Sequence, residues 1–521
     1  MRSARPWSDA SEIFRHRRAA PVRAWELALL GLLLFLGLYS VARFGLWWFS
    51  PEHIANGPLF VLLSAAVWYG IARILVGWYN YFHLSQPSPA AAPEGLSVAV
   101  FTTSSPGEPC AMFERTLEAL RRVRYPHTTY LLDDTRDPRF GELARRMGAV
   151  HLELLDLPGA KAGKVNAALA RTTEEFVLVL DPDHIPFPEF LDRVLGHFQD
   201  PGVGFVQVAQ AYHNAGESFT ARAAAEQTFG FYGPVMQGMH GTGTAVAIGA
   251  NCTFRRKALE SIGGHGIGLA EDLVTSLRLH AAGWRSVYVP EVLARGLVPS
   301  DLGSFLKQQL KWARGVYEVL FTEVPAGWRG LSVHQRLAYL MIGSYYLVGL
   351  TALIYLLVPL VFFWTGVQPA DMDFTEFLNR GVPVALLGAG IYLFTQRWLC
   401  DPARERGLHW RGMLLKVGAW NIYLLGLVLA LLRVKVPYIP TAKERRGGAF
   451  WSLSRVPLFV AAACAATLAW VLWSRLYRLP EAEVMASAPR IYGMASFLLV
   501  NIAFMGGRIY AAWQDRRGGR P

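Results

Sequence analysis

The chain alternates long apolar blocks with one stretch of a different texture. Apolar runs of about 20 residues, the length that crosses a bilayer as helix, fall at 24–44, 58–78, 337–364, 380–399, 455–475 and 490–511. A seventh run, 413–432, contains Lys416 and Asn421. It is flanked by Arg397, Arg404, Arg406 and Arg411 before it and by Arg433, Lys435, Lys443, Arg445 and Arg446 after it. A single crossing would carry one cationic cluster outside, against the positive-inside rule, and would put polar groups in lipid. The run is therefore expected to lie as one amphipathic helix on the cytosolic face. Six spans remain, with both termini cytosolic, in a multi-pass inner (plasma) membrane protein.

Between the second and third spans, after the linker 85–95, short apolar runs alternate with helical patterns. Runs 97–104, 128–134, 176–184, 203–210, 245–254 and 286–290 predict strands; 110–123, 137–147, 164–171, 188–199 and 272–282 predict helices. Continuous apolar strands separated by helices indicate a mostly parallel α/β sheet covered on both faces. Ligands bind such sheets at the carboxyl ends of the strands. The organisation expected is thus a membrane region 1–84, an α/β domain 95–325 that includes an interfacial helix 301–321, and a second membrane region 326–521.

Composition sharpens this picture. Only 17% of the 521 residues are charged and mean hydropathy is +0.25, whereas soluble domains carry about 25% charge. The net charge of +12 would suit nucleic acid, but its location argues otherwise. Segments 1–23, 397–416, 433–449 and 508–521 hold 20 basic and 6 acidic residues, more than the whole surplus, and all flank membrane segments. A lipid bilayer is the expected partner, and no nucleic acid. Met1–Arg23 carries six arginines and precedes a run too long for a signal peptide, so it reads as a cytosolic anchor. Cys110, Cys252, Cys400 and Cys464 are too scattered for a zinc site or disulfide framework.

Polar residues with chemical potential cluster at strand ends. Asp133 and Asp134 end the second strand, where they suit hydrogen bonding to a base or ribose, or simply a turn. Asp181-Pro182-Asp183 ends an apolar strand and is followed by His184; two such carboxylates can converge on one hard cation that bridges a diphosphate. Gly159–Leu169 is a Gly/Lys-rich loop opening a helix, suited to phosphate or to plain solvation. Glu271 and Asp272 start a helix, where Asp is a favoured cap or, in the functional reading, a general base. The helix dipole would lower its pKa, so burial or a neighbouring carboxylate would have to oppose that. On 301–321, Ser304, Gln308, Lys311, Trp312 and Gly315 share one face, which suits a sugar ring and a phosphate, or a membrane-interface anchor.

Taken in order, these clusters resemble the cellulose synthase-like branch of glycosyltransferase family 2. That pattern is an Asp, then Asp-x-Asp, then Glu-Asp, then Gln-(Gln/Arg)-x-Arg-Trp; here it is Asp133/Asp134, Asp181–Asp183, Glu271–Asp272 and Gln308-Gln309-Leu310-Lys311-Trp312. The resemblance implies a GT-A (Rossmann-like) fold, inverting chemistry, Mg2+ or Mn2+, and a UDP-sugar donor, UDP-glucose by preference. It implies donor contacts from Thr102, Asp133, Asp134, Lys161, Asp181, Gln308 and Lys311, and metal ligation by Asp181 and Asp183. Asp272 would be the base. Gly249, Ala250, Asn251, Cys252, Glu271 and Trp312 would line the acceptor, a growing polysaccharide. The basic segment 436–446 looks like the family's gating loop, with Thr441 and Lys443. Lys311 stands where the family has Arg and loses its bidentate fork, which turns attention to Arg314 or Lys443 for phosphate.

The reading that follows is a processive β-glucan (or related β-glycan) synthase that passes its product through its own spans; accessory secretion subunits are compatible with it. The competing readings are a non-processive transferase acting on a membrane lipid, a synthase using UDP-GlcNAc or another nucleotide sugar, and a scaffold with an inert transferase domain.

Overall fold

The computed structural model describes residues 13–434, 436, 450–477 and 488–518. Six helices among them are long and apolar enough to cross a membrane: Ala24–Trp48, Gly57–Phe82, Val333–Thr365, Phe374–Trp398, Phe450–Leu476 and Ile491–Arg516. They match the six expected spans. Large apolar side chains on them, such as Leu46 and Phe459, are exposed, as lipid-facing positions would be. Aromatic residues Phe44, Trp47, Trp48 and Phe60 close the core between the first two spans.

An α/β domain is built on nine strands, the first lying before the first of these helices and the other eight between the second and third: β1 Arg17–Arg18, β2 Val98–Thr103, β3 Thr128–Asp133, β4 Val150–Glu153, β5 Phe176–Leu180, β6 Ile185–Pro186, β7 Val203–Tyr212, β8 Cys252–Arg255 and β9 Arg285–Gly296. The order is β1-β9-β7-β8-β5-β2-β3-β4, with β6 beside β9. Parallel pairs β5–β2, β2–β3, β3–β4 and β7–β9 are balanced by antiparallel pairs at β8, β1 and β6. The sheet is therefore mixed rather than mostly parallel. Strand alternation sorts the core into two layers. Val98 and Val100 pack with Phe113, Leu117 and Phe140 on one face, and Ala99 and Phe101 with Val165, Ala168 and Leu279 on the other.

Three elements differ from the expectation. The run 245–254 pairs only from Cys252, because Gly249 (φ 77°) and Asn251 (φ 57°) take left-handed backbone that no strand tolerates. Arg17–Arg18 of the basic N-terminal segment joins the sheet edge beside Glu291 and Val292.

The run 413–432 is not one surface helix. It is two, Trp410–Gly418 and Trp420–Leu431, bent by 48° at Ala419. The first half packs on helix Phe219–Gly230, with Gly412 against Glu226 and Gln227. The second packs on helix Leu302–Glu318, with Gly426 against Ala313. Following two differently oriented partners requires the bend. Arg508 fills it, donating to the Gly418 carbonyl at 2.9 Å and to Asn421 Oδ1 at 2.6 Å, while the Lys416 ammonium sits 4.1 Å from the Tyr345 ring. The polar groups that argued for a watery face are partnered inside the protein.

The sheet and the helical region are joined by buried ion pairs. Arg295 at the end of β9 meets Asp401 at 2.5 Å, and Arg404 reaches the same carboxylate at 3.2 Å. All three side chains are almost wholly buried, so removing one partner would strand a charge and cost about 3–5 kcal/mol. This fixes the end of β9, which borders the cavity described next.

Candidate active site

The carboxyl ends of β2 and β5 open into a cavity of about 330 Å³. Asp181, Asp183 and His184 present ligand atoms that all lie within 4.8 Å of one another, the only such cluster of three among the described residues. Their turn is held from several sides. Thr116 Oγ1 donates to the Pro182 carbonyl at 2.7 Å, and the Leu297 amide donates to Asp183 Oδ2 at 2.9 Å. The His184 ring lies flat against Gly296, where an added Cβ would come within 2.3 Å of it; only glycine permits that approach. Two carboxylates and one imidazole form a donor set that suits Mg2+ or Mn2+.

Lys161, buried on helix Ala160–Leu169, donates to Asp181 and to the Gly249 carbonyl. Although burial opposes its charge, Asp181 and Glu271 nearby hold its pKa above the ordinary value. Lys164 turns away to the Ser104 carbonyl and to Ser105 Oγ, the latter at 3.1 Å, so it braces the loop after β2.

Glu271 and Asp272 open helix Glu271–Ala281. Asp272 accepts from the Leu273 amide at 2.8 Å and faces Gly249, where a Cβ would sit 3.3 Å from its Oδ2. Burial raises the Asp272 pKa against the opposing pull of the Leu273 amide and Lys161. Burial also pushes Glu271 up, to about 7, and the Asp272 charge adds to it. The contest between dipole and burial posed by the sequence is thus won by burial. A carboxylic acid raised in the fold keeps its proton as pH falls toward neutrality and becomes a competent base only above its pKa. The pair titrates as a unit. Glu271→Gln, by removing one negative charge beside Asp272, is expected to move the acid limb of the kcat/KM profile to lower pH. A pH series of turnover on both proteins checks this.

Gln308, Lys311 and Trp312 line the same cavity from helix Leu302–Glu318. Gln309, assigned to no role by the sequence, lines it too. Gly315 instead packs on the backbone at Leu269 and Ala270, and Ser304 is tied to its N-cap Asp301. Arg314 does not reach the cavity. It donates to the Val434 carbonyl at 3.3 Å and pairs with Glu318 at 2.8 Å, so among the described residues two lysines, Lys161 and Lys311, and no arginine line the cavity.

Other expected residues stand further off. Thr102 is fully buried on the β2 face that carries Val98 and Val100, and its neighbour Thr103 lines the cavity instead. Asp133 is 2% exposed. Its carboxylate accepts from Ser104 Oγ at 2.5 Å, from the Thr135 amide at 3.0 Å and from Thr135 Oγ1 at 2.8 Å, with His151 Nε2 at 2.9 Å. Burial opposes ionisation there, but these hydrogen bonds hold its pKa below the usual carboxylate value. Asp134 is more accessible, 3.8 Å from the Lys164 ammonium. In the segment Gly249–Cys252, Gly249 borders the cavity while Ala250, Asn251 and Cys252 are fully buried behind it. Gln207 braces them by donating to the Ala250 and Asn251 carbonyls. Thr441 and Lys443 lie outside the described residues.

The opposite wall was not anticipated. Ala224, Gln227, Thr228 and Phe231 face the cavity from helix Phe219–Gly230 and the turn that follows it, as does Tyr232. The cavity continues to Ile342 and Tyr346 of the third apolar helix. One connected space therefore holds paired carboxylates, buried cations, a sugar-sized aromatic platform and a path to the membrane helices.

Residues 176–368 match the family described as Glycosyl transferase family group 2. The match takes in the second half of the inserted domain and the apolar helix Val333–Thr365 that follows it. Over 326 residues the chain is 28% identical to a cellulose synthase catalytic subunit [UDP-forming] of Komagataeibacter sucrofermentans, covering 60% of this chain and 43% of that one. Over 343 residues it is 28% identical to the corresponding subunit of Xanthomonas axonopodis pv. citri, covering 62% and 47%. The chain thus spans less than half the length of these curated relatives. Among solved structures, a mannosyltransferase from Pyrobaculum calidifontis in complex with GDP-Man and Mn2+ superposes with a TM-score of 0.47 at 17% identity, covering 72% of this chain and all of that one. The six candidate spans point to a multi-pass membrane protein, similar over 60% of its length to cellulose synthase catalytic subunits.

Proposed function

We propose that the protein is an inverting, processive glycosyltransferase that polymerises a β-glucan from UDP-glucose and passes the chain through its own spans. The catalytic domain and both termini would be cytosolic. The observation that carries this reading is the single cavity running from Asp181 past Trp312 to Ile342 and Tyr346, which joins the donor end to the membrane helices. The likeness to cellulose synthase catalytic subunits, at 28% identity, supports it.

In this reading Asp181, Asp183 and His184 would hold Mg2+ or Mn2+, which when bound neutralises diphosphate charge. Lys161, Gln308 and Lys311 would meet the diphosphate oxygens, and stabilise the leaving UDP as its charge grows. Asp134 offers the accessible carboxylate at the nucleobase end, with Asp133 and Ser104 setting the shape of the strand end. Trp312 stacks against the terminal sugar of the acceptor and holds one hydroxyl towards the anomeric carbon. Asp272 takes that hydroxyl's proton as the oxygen attacks. The new glycosidic bond forms as the bond to UDP breaks, with inversion. Burial of the site excludes water that would otherwise hydrolyse the donor.

Trp312→Ala separates this from transfer to a membrane lipid. A processive synthase should lose polymer formation by at least about fivefold, since one aromatic stacking platform is worth about a kcal/mol or more. Polymer retained at the wild-type level, or lipid-linked single sugars as the only product of either protein, would refute processive synthesis.

A further inference from the structure

Two helices line the cavity together, and each presents the same kind of chemistry. On helix Leu302–Glu318, residues Phe305, Gln308, Gln309 and Trp312 recur at i, i+3, i+4 and i+7 and so share one face. From helix Phe219–Gly230 and the turn after it, Ala224, Gln227, Thr228 and Phe231 recur at the same intervals. Each wall carries carboxamides beside aromatic surface, and neither adds an arginine.

The carboxamide of Gln227 is the informative group. Its Nε2 is shielded from solvent, yet it has no hydrogen-bond partner among the described residues, and its side chain lines the cavity. Its neighbour Thr228 has its hydroxyl satisfied by the Ala225 carbonyl at 2.8 Å. A buried donor left unmade costs about 1–3 kcal/mol, so a wall that retains one gains when a ligand oxygen arrives. The backbone holding Gln227 is tightly set. Gly412 packs against Glu226 and the Gln227 amide nitrogen. Ser218 caps the helix start by accepting from the Ala221 amide at 2.9 Å, and Gln514 of the last apolar helix accepts from the Phe219 amide at 2.8 Å.

We infer that helix Phe219–Gly230 forms a second wall of the acceptor slot, and that the Gln227 carboxamide, on turning into the slot, donates a hydrogen bond to a hydroxyl oxygen of the neutral sugar chain stacked on Trp312. Gln227 is thus an acceptor-specificity residue that acts on the glycan and not on the nucleotide. This rests on the glycosyltransferase reading above. The lining charges, Asp181, Asp183, Glu271, Asp272 and Glu108 against Lys161 and Lys311, disfavour an acidic sugar in the same slot.

The test uses the purified full-length protein in nanodiscs with radiolabelled UDP-glucose and Mg2+, measuring polymer, free glucose and UDP together. Gln227→Leu removes the donor at similar size; Gln227→Glu keeps the shape but loses the donating amide. Both should lower polymer yield by about five- to tenfold and raise the share of turnover that ends as free glucose. The KM for UDP-glucose should stay within about twofold. Wild-type polymer yield in either folded variant, or a yield loss matched by a rise in donor KM, would overturn the inference. A Leu variant that does not fold leaves the decision to the Glu variant. Wild-type protein that releases no UDP from any nucleotide sugar would instead remove the reading on which the inference rests.

Discussion

Asp272→Asn should abolish UDP release from donor and acceptor, with kcat falling by about 10²–10⁴, the range that a positioned general base contributes. Asn keeps the size and can still accept from the Leu273 amide, which Asp272 does at 2.8 Å, so the helix start should be undisturbed. What is lost is the proposed base for the acceptor's proton. Donor binding should survive, because the Lys161 contacts run to Asp181 and the Gly249 carbonyl, not to Asp272. Steady-state turnover beside equilibrium binding of UDP separates the two effects. A variant with wild-type kcat would remove Asp272 from the chemistry.

Chelation is expected to produce a loss of similar size. Asp181, Asp183 and His184 form a half-buried, preorganised donor set, and a bound divalent cation supplies several kcal/mol of charge stabilisation in such reactions, about a hundredfold or more in rate. EDTA should silence turnover, and Mg2+ or Mn2+ should restore it. Asp183→Asn should not be restored at the same metal concentration, although Asn can still accept from the Leu297 amide that Asp183 binds at 2.9 Å. The shift in metal concentration needed for half activity is the measurement. Full activity in EDTA would contradict the assignment.

Much of this was legible in the residues themselves. The six spans and the strands around Val98–Thr103, Phe176–Leu180 and Val203–Tyr212 follow from apolar runs that must be buried on every side. Asp181, Asp183, Glu271, Asp272 and Trp312 could be found because polar residues at the ends of such runs need a reason. The walls made by tertiary contact were harder to see. Helix Phe219–Gly230 buries Ala221, Ala225 and Phe229 in an apolar core and also lines a polar cavity with Gln227 and Thr228, so no single polar face marks the side turned to solvent. The bend at Ala419 depends on Arg508, some 90 residues away in sequence. The choice between Thr102 and Thr103 is a matter of strand parity: alternation puts them on opposite faces, but it cannot say which face holds the cavity.

The account stands on polymer synthesis from one nucleotide sugar by this chain. Purified protein in nanodiscs, offered each UDP-sugar in turn with Mg2+ or Mn2+, should release UDP and build a high-molecular-weight, protease-resistant glycan from UDP-glucose. A β-glucanase of matching linkage should digest that product. Release of UDP with only single sugars transferred to lipid, or no polymer from any donor, would contradict it.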